Sequence, residues 1–169
     1  SDSLVLVTGA TGFLGSRIVA TLVERGFKVR AFVRTTSKTR ALETLKVEIA
    51  IGDVNDRESL KKAFEGVDYV VHAAADTSGN AEAGNRVTFI GTGNILSLCR
   101  TVRVRKLVYI SSCSVYGVAA CKKGDRIDET SALERFPEKR GAYSNAKFQA
   151  EQIVLDEMSR NDYPIVCLR

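Results

Sequence analysis

Thr8-Gly9-Ala10-Thr11-Gly12-Phe13-Leu14-Gly15 is the stretch on which the reading of this chain turns. It follows the apolar, β-branched run at residues 4–8, which reads as a buried strand. It opens a segment with Leu14, Ile18, Val19, Leu22 and Val23 at helical spacing, closed by Gly26. In a strand–turn–helix setting, three glycines at this spacing suit a phosphate cradle. Gly9 permits the tight turn, Gly12 lets the backbone approach a pyrophosphate, and Gly15 allows close helix–strand packing. The helix N-terminus adds unpaired N–H groups and partial positive charge. Cofactor contacts are therefore expected along Gly9, Thr11, Gly12, Phe13, Leu14 and Gly15. The plainer alternative is a glycine turn that holds no ligand.

Working outward, further short strands are predicted at residues 29–33, 47–51, 69–75, 107–112 and 165–168. Helical periodicity predicts helices at 57–64, 87–100 and 143–159. Apolar strands alternating with helices imply a parallel sheet covered on both faces, a doubly wound α/β fold of the Rossmann type. Residues 118–139 form one long polar, irregular segment. The 169 residues read as one NAD(P)-binding domain, with no internal repeat or linker. Arg169 follows directly on a strand, so the chain is expected to be a fragment of a longer protein.

The end of the second strand bears on the cofactor. An NAD binder usually carries Asp or Glu about 20 residues beyond the glycines, to hold a ribose 2′-hydroxyl. Here Val33 and Arg34 occupy that place, with Thr35, Thr36, Ser37 and Lys38 next. A guanidinium grips a 2′-phosphate and stacks on adenine. NADP is preferred over NAD, with Arg34 and Lys38 as contacts; the alternative is an ordinary surface charge at a strand end.

Tyr143 and Lys147 stand four residues apart, which on a helix places both on one face. A neighbouring ammonium stabilises a phenolate, so Tyr143 is a candidate general acid/base. Lys147 can also bind the nicotinamide ribose. The spacing alone is common on helix surfaces. Hydroxyls at Ser111, Ser112 and Ser114 gather where the fifth strand ends, the edge at which open α/β sheets bind ligands.

Composition sets the outer bounds. Hydrophobic residues make up 44% and charged residues 27%, as in ordinary globular proteins. No run approaches the roughly 20 apolar residues of a membrane span, and Ser1-Asp2-Ser3 lacks the basic n-region of a signal peptide. Neither a membrane nor a nucleic-acid partner is expected. The net charge of +5 is spread over helix and loop ends, without interleaved stacking aromatics. Four cysteines without a CxxC pair, and a single histidine, argue against a metal site and for reduced thiols in a cytoplasmic protein; disulfides stay open. An inert buried thiol is favoured over a redox role for Cys113.

Together these residues resemble the extended short-chain dehydrogenase/reductase family, the NAD(P)-dependent epimerase/dehydratase group. The matching pieces come in the family's order: the glycine motif at 8–15, Gly52-Asp53-Val54, His72-Ala73-Ala74-Ala75, Ser111 through Gly117, and Tyr143 through Lys147. The resemblance implies that Asp53 and Val54 contact the adenine and that Ala73, Ala74 and Ala75 pass beside the phosphates and ribose. It makes Ser112 the catalytic serine beside Tyr143 and Lys147, and His72 a strand residue. It implies hydride transfer between nicotinamide and a carbonyl/alcohol or nucleotide-sugar substrate. It also implies a homodimer through helices at 87–100 and 149–159, whose apolar faces are equally explained by packing on the sheet. Two departures stand out. Thr88 occupies the place of an asparagine that supports the lysine through water, so that support is absent or supplied differently. The family's C-terminal substrate domain is absent from this chain. The competing reading is a non-catalytic NADP-binding regulatory or sensor protein, a class that generally lacks the Tyr/Lys pair.

Overall fold

The strands at the middle of the sheet are buried on both faces, and the layers on either side follow from that. The computed structural model describes residues 2–160 and 164–169. Its elements are β1 (Leu4–Thr8), α1 (Phe13–Glu24), β2 (Lys28–Val33), α2 (Arg40–Glu43), β3 (Glu48–Ile51), α3 (Arg57–Ala63) and β4 (Tyr69–His72). There follow α4 (Ala81–Ala83), a π-helical stretch (Gly84–Ile90), α5 (Gly91–Val102), β5 (Lys106–Ile110), α6 (Ala142–Arg160) and β6 (Ile165–Leu168). The strands form one parallel sheet in the order β3-β2-β1-β4-β5-β6. This is the doubly wound arrangement expected from the alternation of strands and helices.

Alternate residues of β1, β2, β4 and β5 feed two cores. Val5, Val7, Val29, Ala31 and Val33 pack with Val19 and Leu42 under α1 and α2. Leu6, Phe32, Val70 and Leu107 pack on the opposite face with Leu60, Ile95 and Val154 from α3, α5 and α6. A parallel strand buried on both sides is apolar, which is why β1 and β4 show no polar alternation short of Thr8 and His72 at their ends.

Chain order reverses direction across the sheet between β1 and β4, and there the register pairs Thr8 with His72. The segments leaving these two strands therefore meet at the carboxyl edge. Gly9 takes a left-handed φ of 67°, and a β-carbon on it would lie 2.7 Å from the Ala74 amide nitrogen. Only glycine fits both constraints. A β-carbon on Gly15 would run into the Gly9 carbonyl, so α1 packs directly against the turn.

The structure differs from expectation at some edges. The fourth strand stops at His72, because the Ala73 amide donates to the Thr8 carbonyl at 3.3 Å and the Ala74 amide to the Thr8 hydroxyl at 3.2 Å. The helix expected over 87–100 is a π-helical turn followed by α5, and α2 and α4 are short helices with too few residues for periodicity to reveal. Residues 118–139 are irregular apart from short 3₁₀ turns.

Replacing Gly15 by alanine is expected to cost about 1–3 kcal/mol through overpacking against the Gly9 carbonyl. Urea denaturation measures it; an unchanged midpoint would show that the turn and helix are less tightly apposed than described.

Candidate functional site

The turn after β1 closes with the Gly12 amide donating to the Gly9 carbonyl at 3.0 Å. Gly12 is then the N-cap of α1, with no side-chain cap and no acidic residue in the first turn. The N–H groups of that turn are left open to water or to an anion. Phe13 stands beside them almost fully exposed, at 91%, and Leu14 is half-exposed.

This turn is one wall of an open cleft of about 830 Å³ along the carboxyl ends of the strands. Gly9, Thr11, Gly12, Phe13, Leu14 and Gly15 line it from β1 and α1, and Arg34 and Ser37 from beyond β2. Asp53 and Val54 line it after β3, Ala73, Ala74 and Ala75 after β4, and Tyr143 and Lys147 from α6. Two expected residues do not line it: Lys38, which is exposed, and Ser112, whose neighbour Ser111 lines the cleft in its place.

Local hydrogen bonds shape each contribution. The Arg34 amide donates to Ser37 Oγ at 3.1 Å and the Ser37 amide to the Arg34 carbonyl at 2.9 Å, a tight turn that leaves the guanidinium exposed. The Asp53 carboxylate accepts from the amide and side-chain nitrogens of Asn55 at 2.8 and 3.0 Å. The Val54 carbonyl accepts from Asn94 Nδ2 at 2.9 Å, tying this corner to α5.

Three residues of α6 stack at one-turn intervals: Tyr143, Lys147 and Glu151. Tyr143 is half-buried on the cleft wall. Lys147 is 2% exposed and donates to the Ile110 carbonyl at 2.6 Å, with Nζ 5.0 Å from the centre of the Tyr109 ring. Burial pulls its pKa down to about 8, and the nearby Cys167 and Glu151 work in the opposite sense. Thr88 makes no hydrogen bond to this lysine; its hydroxyl accepts from the Asp76 amide at 2.9 Å. The lysine is held by a strand carbonyl and an aromatic face instead.

Glu151 is fully buried, and its partners were invisible in the sequence. Arg169 donates to its Oε1 from Nε at 3.0 Å and from Nη2 at 2.7 Å, and Ser111 donates to Oε2. Arg169 also donates to Tyr116 OH at 3.2 Å. This cluster joins β5, α6, β6 and the loop after β5. A buried carboxylate needs such partners, since removing one of them costs about 3–5 kcal/mol. Ser111 is consumed by it while also lining the cleft. Ser112 Oγ accepts from the Ser114 amide at 3.1 Å and caps the short turn Cys113–Val115. The only legible signal for Glu151 was its place one turn beyond Lys147 on the same helix face.

His72 is 1% exposed, between Thr8 and Thr92, and burial lowers its pKa to about 3, with Lys147 adding to the effect. All four cysteines are unpaired, and Cys113, expected to be buried, is exposed because the short turn that Ser112 caps carries it outward. Among the described residues, no three His, Cys, Asp or Glu side chains gather as a metal site, and no helix is long and apolar enough to cross a membrane.

The sequence profile of the NAD dependent epimerase/dehydratase family matches residues 5–169. Sterol demethylase protein B of Methylococcus capsulatus is 43% identical over 116 residues, covering 67% of this chain and 35% of that protein. The 4-hydroxy-2-methyl-3-oxo-4-farnesyl-3,4-dihydroquinoline-1-oxide ketoreductase of Stigmatella aurantiaca is 34% identical over 151 residues, 88% of this chain and 44% of its own length. The crystal structure of Thermus thermophilus UDP-glucose 4-epimerase in complex with NAD superposes with a TM-score of 0.84 at 29% identity, covering 98% of this chain and 54% of that one. The chain thus spans about half or less of these relatives.

The depressed pKa of His72 predicts an acid-sensitive fold. The unfolded chain takes up a proton below about pH 6.5, whereas the folded imidazole stays neutral until about pH 3. This group's contribution is complete above pH 6.5 and falls by on the order of 1 kcal/mol for each pH unit below it. Urea titrations at several pH values check this against His72→Phe, in which that part of the slope should vanish; an equal slope in both would contradict it.

Proposed function

As the chain belongs to the NAD dependent epimerase/dehydratase family, we propose that it is the dinucleotide-binding part of an NAD(P)-dependent oxidoreductase acting on a carbonyl or alcohol substrate. The observation that carries this reading is one cleft with the glycine turn on one wall and the Tyr143/Lys147 pair on another. The residues fit a dinucleotide. The turn at Gly9 leaves no room for a β-carbon, α1 has no side-chain cap, and exposed Phe13 offers an apolar face at the same place. When bound, the nicotinamide would supply or accept a hydride at the substrate carbon.

The chain's own residues would do the rest. The first turn of α1 binds the diphosphate, and Asp53, Val54 and Ala73 to Ala75 form the channel for adenosine and ribose. Lys147, with one N–H on Ile110, has donors left for a ribose hydroxyl and holds positive charge beside Tyr143. Tyr143 moves the proton to or from the substrate oxygen, and Ser112 steadies that oxygen.

Arg34 and Ser37 at the end of β2, with no acid on the cleft there, support NADP over NAD. Similarity to a ketoreductase supports carbonyl reduction over sugar epimerisation, although a nucleotide-sugar substrate is the reading favoured by the structural likeness to UDP-glucose 4-epimerase. A homodimer through α5 and α6 is supported by exposed Ile90 and Val102 at the ends of α5 and Met158 on α6. Unpaired cysteines support a cytoplasmic setting. Lys38 keeps a place in this proposal only as a charge outside the cleft.

Fluorescence titration of the chain is expected to give at least about tenfold tighter binding of NADPH than NADH, with Arg34→Ala removing the difference. Equal affinities would refute the NADP assignment. In the intact protein, Tyr143→Phe should lower turnover by about 10²–10⁴ while nucleotide affinity stays unchanged. Retained turnover would remove Tyr143 from the mechanism.

A further inference from the structure

The hydrogen bonds around His72 determine which ring nitrogen carries the proton. Thr92 Oγ1 lies 2.5 Å from the Thr88 carbonyl oxygen. A carbonyl only accepts, so the Thr92 proton goes there. Its oxygen is then the acceptor for His72 Nε2, 3.0 Å away, and Nε2 must bear hydrogen. Buried and close to the Lys147 ammonium, the imidazole is neutral, so Nδ1 holds a lone pair. Thr8 Oγ1, at 2.6 Å, donates to that lone pair, and the same oxygen accepts the Ala74 amide at 3.2 Å. On the far side, the hydroxyl of Thr88 accepts the Asp76 amide at 2.9 Å. Each of the residues named here has a hydrogen-bond partner in the network, which favours a rigid strip over a weakened core.

We infer that His72 is a positioning residue: as the neutral Nε2–H tautomer it bridges Thr8 and Thr92, and so clamps the Ala74 and Asp76 backbone that lies against the glycine turn. The functional half of this inference rests on the dinucleotide reading above; the structural half does not. Both clamped amides belong to residues of the cleft wall, and a β-carbon's width is already missing between Ala74 and Gly9. A shift of that strip would close the cradle or open it. His72 needs no access to substrate to have this effect. It acts through two hydroxyls, one on β1 immediately before Gly9 and one on α5.

His72 is the chain's one histidine, so long-range ¹H–¹⁵N spectra of an untagged, ¹⁵N-labelled chain give a single imidazole to read. The expected pattern is a protonated Nε2 and an unprotonated Nδ1 from neutral pH down to about pH 5. A protonated Nδ1 at neutral pH, with or without Nε2–H, would overturn the inference. His72→Phe should then speed hydrogen exchange at the Ala74 and Asp76 amides by about tenfold and weaken NADPH by a similar factor. Leu60→Ala, a core truncation that breaks none of these hydrogen bonds, controls for general destabilisation and sets the baseline for both measurements. If His72→Phe does not fold, Thr92→Val removes the acceptor of Nε2 while keeping the side-chain shape, with the same exchange expected at Asp76. Exchange no faster than in the Leu60→Ala control, or faster exchange with unaltered NADPH affinity, would overturn the positioning role. Loosened amides in a chain whose wild-type form binds no nucleotide would support the clamp and remove the dinucleotide reading.

Discussion

The rest of the structure depends on how closely two backbones approach each other where β1 and β4 end. Thr8 and His72 are register partners, and beyond them the Gly9 turn and the Ala73–Ala74 backbone come within the width of a missing side chain. Parallel pairing at the middle of the sheet brings these segments together, and glycine makes the approach possible. The start of α1, the strip after β4 and the floor of the cleft all take their positions from this contact. Because α1 packs on the turn itself, the residues of its uncapped N-terminus line the cleft.

The second determinant is a line of charge along one face of α6. Lys147 and Glu151 lie a turn apart, both buried, and neither can remain charged in a core without partners. The Ile110 carbonyl holds the first; Arg169 and Ser111 hold the second. These bonds run to the ends of β5 and β6, so the helix carrying Tyr143 is fixed in rotation relative to the sheet. A buried ammonium with its pKa drawn down to about 8 is costly to the fold. Surface placement would avoid that cost, and its retention beside a cleft-facing phenol is the kind of local expense that functional sites show.

The glycine turn, the strands and the Tyr143/Lys147 face were legible because each is a local pattern: a spacing, a period, a helix turn. Element ends were less so. The strand expected to reach Ala75 stops at His72, since side-chain oxygen from Thr8 takes over an amide that a ladder would otherwise pair. The π-turn before α5 has no periodic signature. Least legible were contacts between residues far apart in the chain. Nothing near Glu151 announces Arg169, and nothing near His72 announces Thr92. The sequence reading put the hydroxyl-bearing end of β5 at the site, yet only the fold shows that Ser111 is committed to Glu151 while Ser112 caps the following turn.

The central claim is that a dinucleotide lies across the β1–β4 junction with its diphosphate on the first turn of α1. Backbone amide shifts of the labelled chain, followed through an NADP⁺ titration, test it most directly. The account predicts saturable shifts at Gly9 to Gly15, at Arg34 and at Ala73 to Ala75, with helix α3 unmoved. Shifts confined to other surfaces, or a glycine turn that stays unperturbed while nucleotide binds, would contradict it.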